Sequence, residues 1–281
     1  MIIVDWNFNR SCNFNCDYCL NDQSDKKDKG PSFNIIKSAI DRLTKNYFFA
    51  FTGGELLLNP DFVKIASYIT NRFNISLYTN LSLPLDNFIA HIDPNKVKYI
   101  VGSLHIKERT RLNIPQSQIV NQYKKLKDAG FKNIYIIQIC DDYALSIYDE
   151  LYDWYKEYNI IIIPNRLKTS PWYKFNYTDQ QLKDMNRLSQ LSNCDMFPYE
   201  MAIYKNNKDQ PCIAGCQYIV ILSNGRIVKC WGDLKSLGNF YIAPYFDESI
   251  FKESICKVEN CACYPCRLNM RVLQDADNNN N

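Results

Sequence analysis

Between residues 2 and 165, short runs of β-branched and aromatic residues alternate with amphipathic stretches, the pattern of a parallel sheet with crossover helices. The runs fall at 2–6, 47–51, 74–79, 97–104, 133–139 and 159–163 and predict six strands. Between them Phe33, Ile36, Ile40 and Leu43 recur at helical spacing. Ile119, Tyr123 and Leu126 do the same, and that helix is predicted to stop at Ala129 and Gly130, a C-cap signal. The alternation ends after Pro164, and a stretch containing Pro, Tyr and Asn leads to one more helix near 179–191. Further on, QYIVIL and RIVK meet at Ser223, Asn224 and Gly225 and predict a β-hairpin. The expected fold class is α/β. Residues 1–170 form its core, 171–272 a linker helix and a smaller unit, and 273–281 a polar tail expected to fray. No internal repeat is present.

Composition agrees with a folded chain. Of 281 residues, 46% are hydrophobic and 14% aromatic, enough for a real core and too many for a disordered chain. A net charge of +3 is too small to indicate a nucleic-acid or membrane partner, and no Lys/Arg run exceeds two. The apolar runs at 134–139 and 160–164 fall well short of the roughly 20 residues that a membrane span needs. The N-terminus lacks the features of a secretory signal, so a cytoplasmic protein is expected.

Twelve cysteines change the picture. A disulfide framework suits short secreted domains, and this chain is neither short nor visibly secreted. The cysteines are also clustered. Cys12, Cys16 and Cys19 sit in the loop after the first strand, seven lie between Cys212 and Cys266, and only Cys140 and Cys194 fall outside these groups. The first group has the spacing C-x3-C-x2-C. Structural zinc wants four closed ligands, whereas a cubane iron-sulfur cluster on three thiolates leaves one iron open for chemistry.

CNFNCDYC resembles the C-x3-C-x-aromatic-C signature of the radical S-adenosylmethionine (SAM) superfamily. The resemblance implies a partial (β/α)6 barrel and a [4Fe-4S] cluster whose open iron is chelated by the amine and carboxylate of SAM. Tyr18 takes the aromatic position whose backbone commonly meets the adenine. Thr52, Gly53, Gly54 and Glu55 follow the second strand where the family carries its GGE motif. There the glycines are expected to admit the ligand, and the carboxylate to accept from the methionyl ammonium. Thr79 and Asn80 end the third strand like the family's TN pair, and Ser103 stands where a polar residue meets the ribose or carboxylate of SAM. Strand alternation gives a separate expectation: Ser103 and His105 share one face, Gln138 and Cys140 share one, and both pairs line the barrel mouth.

The second group resembles the auxiliary-cluster domains called SPASM and twitch. Cys212-x12-Gly225-x4-Cys230 matches their opening half, and LGNF at 237–240 matches the segment that follows. The resemblance implies a twitch-like unit of hairpin plus helix, with one auxiliary [4Fe-4S] cluster on Cys212, Cys230, Cys263 and Cys266. CKVENCACYPC departs from the longer SPASM pattern, so Cys256 and Cys261 stay open as ligands, as does a second auxiliary cluster. Cys216 reads as a small buried thiol.

The implied reaction is reductive cleavage of SAM to a 5′-deoxyadenosyl radical that abstracts hydrogen from a substrate. Electrons would come from a donor such as flavodoxin or ferredoxin, and the auxiliary cluster would assist oxidation. Arg166, at the end of the sixth strand, is a candidate anchor for an anion, and Asp141 and Asp142 are candidate bases. Cys140 is a candidate hydrogen-atom donor, which would make an epimerase. Only eleven residues precede Cys12, which favours a small polar metabolite (sugar, cyclitol or nucleotide) as substrate over a ribosomal peptide to be crosslinked or epimerised. A zinc-stapled scaffold without catalysis is the third reading.

Overall fold

The computed structural model describes residues 1–21, 26–167, 175–192, 208–209, 211–243, 246–252, 254–257 and 259. Cys194, Cys261, Cys263, Cys266 and the polar tail lie outside the described residues.

Six parallel strands, adjacent in chain order, carry the core: β1 (Ile2–Asn9), β2 (Tyr47–Gly53), β3 (Asn74–Thr79), β4 (Val97–Ser103), β5 (Ile134–Cys140) and β6 (Ile162–Arg166). The connections are helical. α1 (Phe33–Asp41) precedes β2, α2 (Phe62–Thr70) precedes β3, and α3 (Asp86–His91) precedes β4. α4 (Ile106–Arg111) and α5 (Ser117–Asp128) lead to β5, while α6 (Asp142–Ser146) and α7 (Tyr148–Lys156) lead to β6. α8 (Asp179–Ser192) follows. No described helix is long and apolar enough to cross a membrane.

Five of the six predicted strands fall in place. The sixth starts three residues later than expected and runs through Pro164 to Arg166. Pro164 is tolerated because β6 is the edge of the sheet, where a missing N–H breaks no central ladder. Asn159, with φ +58°, turns the chain between α7 and β6 instead of opening a strand.

The sheet is buried on both faces, as parallel sheets require. On β1, Ile2, Val4, Trp6 and Phe8 enter the large core beneath the helices. Ile3 enters a smaller core on the opposite, inner face with Phe48, Tyr99, Val101, Ile137 and Ile163.

The predicted hairpin forms as β8 (Tyr218–Ile221) and β9 (Arg226–Cys230), with Gly225 at φ +81° in the turn, after the short β7 (Pro211–Cys212). β8 also pairs parallel to β1. β9 continues to β10 (Asp233–Asn239), so one nine-stranded sheet runs across the change of sequence pattern near 170. β7 pairs separately with β11 (Ser254–Ile255). Beyond β10, Phe240 meets Trp6 edge-on at 5.3 Å, and the indole N–H of Trp6 donates to the Tyr241 hydroxyl at 3.2 Å. Glu248 accepts from Thr44 N–H (3.1 Å), Lys45 N–H (3.3 Å), the Tyr47 hydroxyl (2.6 Å) and the Thr44 hydroxyl. Strand pairing, aromatic packing and charge thus fasten the segment after 211 to the barrel core.

Candidate functional site

The cysteine loop is built directly onto the ends of β1, β2 and β3. Gly54 N–H donates to the Asn9 carbonyl at 2.8 Å and Glu55 N–H to the Ser11 carbonyl at 2.9 Å. A Cβ on Gly54 would stand 2.0 Å from the Ser11 oxygen, and one on Gly53, at φ +137°, 2.4 Å from the Asn9 oxygen. The freedom of these glycines is therefore used on the chain's own backbone, to seat the root of the cysteine loop, where the sequence suggested admission of a ligand.

Glu55 is fully buried. Its carboxylate accepts from the Thr79 hydroxyl at 2.9 Å, from Asn80 N–H at 2.8 Å and from Leu57 N–H at 3.3 Å. Burial pushes its ionisation upward, against which these bonds and the nearby Arg109 charge work. The Asn80 amide donates to Asn13 Oδ1 at 3.0 Å and lies 3.9 Å from Cys12 Sγ. Its oxygen accepts from Ser82 N–H, and the Asn13 amide closes the ring on Ser82 Oγ at 2.7 Å. Glu55, Thr79 and Asn80 thus brace the loop that bears the thiols.

α4 clasps the other side. Glu108 accepts from Asn15 N–H at 2.6 Å while Arg111 grips it with two nitrogens, and Lys107 pairs with Asp17 at 2.7 Å. Arg109, also fully buried, donates to the Leu104 carbonyl at 2.8 Å, to Gln118 Oε1 and to the Asn80 carbonyl, and its guanidinium lies over the Phe14 ring. Burial lowers its pKa to about 10. His105 falls beyond the end of β4, at φ +46°, so strand alternation does not apply to it. It turns toward the cysteine loop, with Nδ1 3.0 Å from the Tyr18 hydroxyl and 3.7 Å from Cys16 Sγ. Burial, with Arg109 nearby, lowers its pKa to about 4. Ser103, by contrast, ends β4 on the inner face as expected, and Thr52 faces inward and donates to Asp5.

The three thiols fit an iron-sulfur cluster. Burial pushes Cys12 up to about 11 and raises Cys16 and Cys19, and negative charge on Cys19 raises both Cys12 and Cys16 further. Lys26 works against this at Cys12 and Cys19, and a bound cationic metal would favour the thiolates further. Among the described residues no three His, Cys, Asp or Glu side chains converge as they would on a single ion. A cubane asks for less, because its thiolates bind separate irons. The surroundings also suit SAM. Asn7, Asn9 and Asn165, at the ends of β1 and β6, each bury an Oδ1 with no hydrogen-bond partner, and an ammonium and ribose hydroxyls are donors that fill such acceptors.

Of the expected catalytic residues, Cys140 leaves the inner face, whereas Asp141 stays near enough to the cysteine loop for its charge to act on Tyr18, and Arg166 lies over Tyr177, which packs against the apolar cluster of Phe14, Cys16, Tyr18 and Leu167. Cys140 is fully buried in the large core beneath the helices, with its thiol donating to the Gln138 carbonyl at 3.3 Å, so neither side chain lines the barrel mouth. Asp141 caps α6 by accepting from Ala144 N–H at 2.8 Å. Asp142 accepts from Gln181. Arg166 alternates with the inward Ile163 and Asn165 and lies over the Tyr177 ring at 5.2 Å. The inner face carries instead a carboxylate the sequence reading passed over. Asp5 accepts from Trp231 Nε1 at 2.7 Å, Tyr218 at 3.1 Å and Thr52 at 3.3 Å. The signal was visible as Asp5, Asn7 and Asn9 two apart, alternating with Trp6 and Phe8, but the strand was expected to stop at residue 6.

In the second group, Cys212 and Cys230 are neighbours, as the hairpin predicted, and the sulfur of Cys230 accepts N–H from Gly232 and Asp233. β11 pairs Ser254 with Cys212, and just beyond it the carbonyl of the buried Cys256 accepts from Asp209 N–H at 2.8 Å. Cys216 is half-buried in the tight turn before β8.

These features define a class. A parallel half-barrel presents one buried and two half-buried thiols in the loop after its first strand, braced by a Gly-Gly-Glu turn. The sequence model of the radical SAM superfamily matches residues 6–140. Among solved structures, anSMEcpe with bound AdoMet is similar, with TM-score 0.61, 14% identity, and coverage of 99% of this chain and 96% of that one. Native anSMEcpe with bound AdoMet and Cp18Cys peptide gives TM-score 0.59, 14% identity, and 98% of both chains. Streptococcus suis SuiB bound to precursor peptide SuiA gives TM-score 0.53, 14% identity, and coverage of 82% of this chain and 59% of that one. No curated protein matches the sequence. Residues 6–140, just under half of the chain, match the radical SAM model, and that match with the shared fold supports an enzyme. The family implies a [4Fe-4S] cluster and SAM.

Proposed function

We propose that Cys12, Cys16 and Cys19 hold a [4Fe-4S] cluster at which SAM is reductively cleaved, and that the enzyme acts on a peptide. The observation that carries the first part is the shared scaffold of Glu55, Thr79 and Asn80, which joins three strand ends to the cysteine loop. Together, the cluster and SAM would supply a 5′-deoxyadenosyl radical for hydrogen abstraction. The chain's own part is placement. Asn7, Asn9 and Asn165 offer acceptors to SAM, Ser103 and Thr52 face the same interior, and the aromatic and aliphatic inner face keeps water from the radical.

The peptide reading is supported by anSMEcpe, which matches this chain end to end and whose structure holds a peptide, and by SuiB with its precursor peptide. The expectation of a small polar metabolite rested on the short stretch before Cys12 and has no comparable support. Cys212 and Cys230, the latter with an N–H-bonded sulfur, are proposed to hold an auxiliary [4Fe-4S] cluster in a twitch-like unit with Cys263 and Cys266, and the buried Cys256, which follows the strand paired with β7, is a further candidate. A flavodoxin or ferredoxin is the proposed electron donor, and the cytoplasm the proposed location.

Anaerobic iron and sulfide analysis with a dithionite assay for 5′-deoxyadenosine tests this. About eight irons per chain mean two cubanes, and about four mean only the SAM-binding one. A colourless protein that holds zinc and leaves SAM intact would overturn the proposal. Mass change of candidate peptides, against sugars, cyclitols and nucleotides in the same assay, decides the substrate.

A further inference from the structure

The contacts around Cys16 go beyond what holding a cluster requires. Tyr18 hydrogen-bonds through its hydroxyl to the Cys16 sulfur, and the same hydroxyl lies 3.0 Å from His105 Nδ1. The rings of Tyr18 and His105 stack at 5.9 Å with 24° between their planes, and Phe14 meets the imidazole edge-on at 6.0 Å. His105 reaches this place only by taking a left-handed backbone, φ +46° and ψ +55°, at the start of α4. A non-glycine residue holds that conformation at a cost, and such cost is met where the surroundings over-determine the position.

We infer that His105 and Tyr18 form a relay that tunes the cluster, with His105 Nδ1–H donating to the Tyr18 oxygen and the Tyr18 hydroxyl donating to the Cys16 thiolate. The inference rests on the cluster reading of Cys12, Cys16 and Cys19. A hydrogen bond to a cluster thiolate stabilises the extra negative charge of the reduced state and so raises the reduction potential. His105 Nδ1 lies nearer the Tyr18 oxygen (3.0 Å) than the Cys16 sulfur (3.7 Å), so its proton goes to Tyr18 and His105 is a positioning residue. It was expected from the sequence to meet SAM, and its ring instead faces the protein's own sulfur.

The test is an anaerobic redox titration of the reduced-cluster electron paramagnetic resonance signal, with iron and sulfide counted in each sample. Tyr18→Phe removes the hydroxyl while keeping the ring. His105→Asn removes the imidazole with a residue that accepts a left-handed backbone. Both variants are expected to keep their iron and to titrate at a lower potential than wild type. The double variant is expected to shift no further than Tyr18→Phe, because one contact lies downstream of the other. A Tyr18→Phe potential equal to wild type, loss of its iron, or a double-variant shift equal to the sum of the singles overturns the relay. A wild-type protein without a cubane signal overturns the cluster reading itself, and the relay with it.

Discussion

The indole nitrogen of Trp231 lies 2.7 Å from a carboxylate oxygen of Asp5, joining residues 226 positions apart. Asp5 sits in the middle of β1, on the inner face, and Trp231 follows directly on Cys230 at the end of the hairpin. One carboxylate therefore ties the half-barrel to the segment that carries the second thiol group. Asp5→Ala is expected to cost about 2–3 kcal/mol, since charge-assisted bonds from Trp231, Thr52 and the buried Tyr218 hydroxyl are lost. Thermal unfolding measures the loss. The Trp231 indole N–H resonance should move upfield in the variant, and an unmoved resonance would mean that the contact is absent in solution.

Gly54→Ala is expected to damage the cysteine loop without touching a thiol. The new methyl would meet the Ser11 carbonyl at 2.0 Å, and neither partner is a flexible side-chain end. The root of the loop must move, so iron content after anaerobic reconstitution should fall to less than half that of wild type. Full iron in this variant would show that the loop can be displaced and still bind.

Phe240→Ala tests whether the segment beyond the hairpin is part of the core. Phe240 is buried against Trp6 and meets Phe246 edge-on at 5.4 Å. Truncation should cost about 3–5 kcal/mol in urea unfolding, the range for deleting a buried phenyl ring. A cost below about 1 kcal/mol would mean that the contact carries little of the stability.

Glu248 predicts a pH dependence. Desolvation opposes its charge, but the bonds from Thr44, Tyr47 and Lys45 outweigh it and hold the carboxyl below its ordinary value of 4.5. A carboxylate whose folded pKa is depressed adds stability that is present above its unfolded pKa and is lost as pH falls through the folded one. Glu248→Gln should therefore be less stable than wild type at pH 7. The difference should shrink as the pH drops below about 4.5. A difference that does not change with pH would remove the charge from the explanation.

Local pattern was enough to read the strands, because each buries two faces and so shows itself as a short run of Ile, Val, Phe and Tyr, and the hairpin, because Asn224 and Gly225 mark its turn. The cysteine loop was legible as well, since ligand spacing within eight residues is a property of the chain itself. The remainder depended on which residues meet across the fold. Cys140 and Arg166 stand at strand ends just as Ser103 does, yet register turns the first toward the helices and lays the second over Tyr177. His105 was expected on a strand, but β4 ends two residues earlier and a left-handed turn sends it to Cys16. Arg109, Asp5 and Trp231 have no local signature, because what makes each of them matter is a partner far away along the chain. Periodicity and spacing are local and survive in the sequence, whereas the direction of a side chain at the end of a strand is set by register, turn geometry and long-range packing, which only the folded chain supplies.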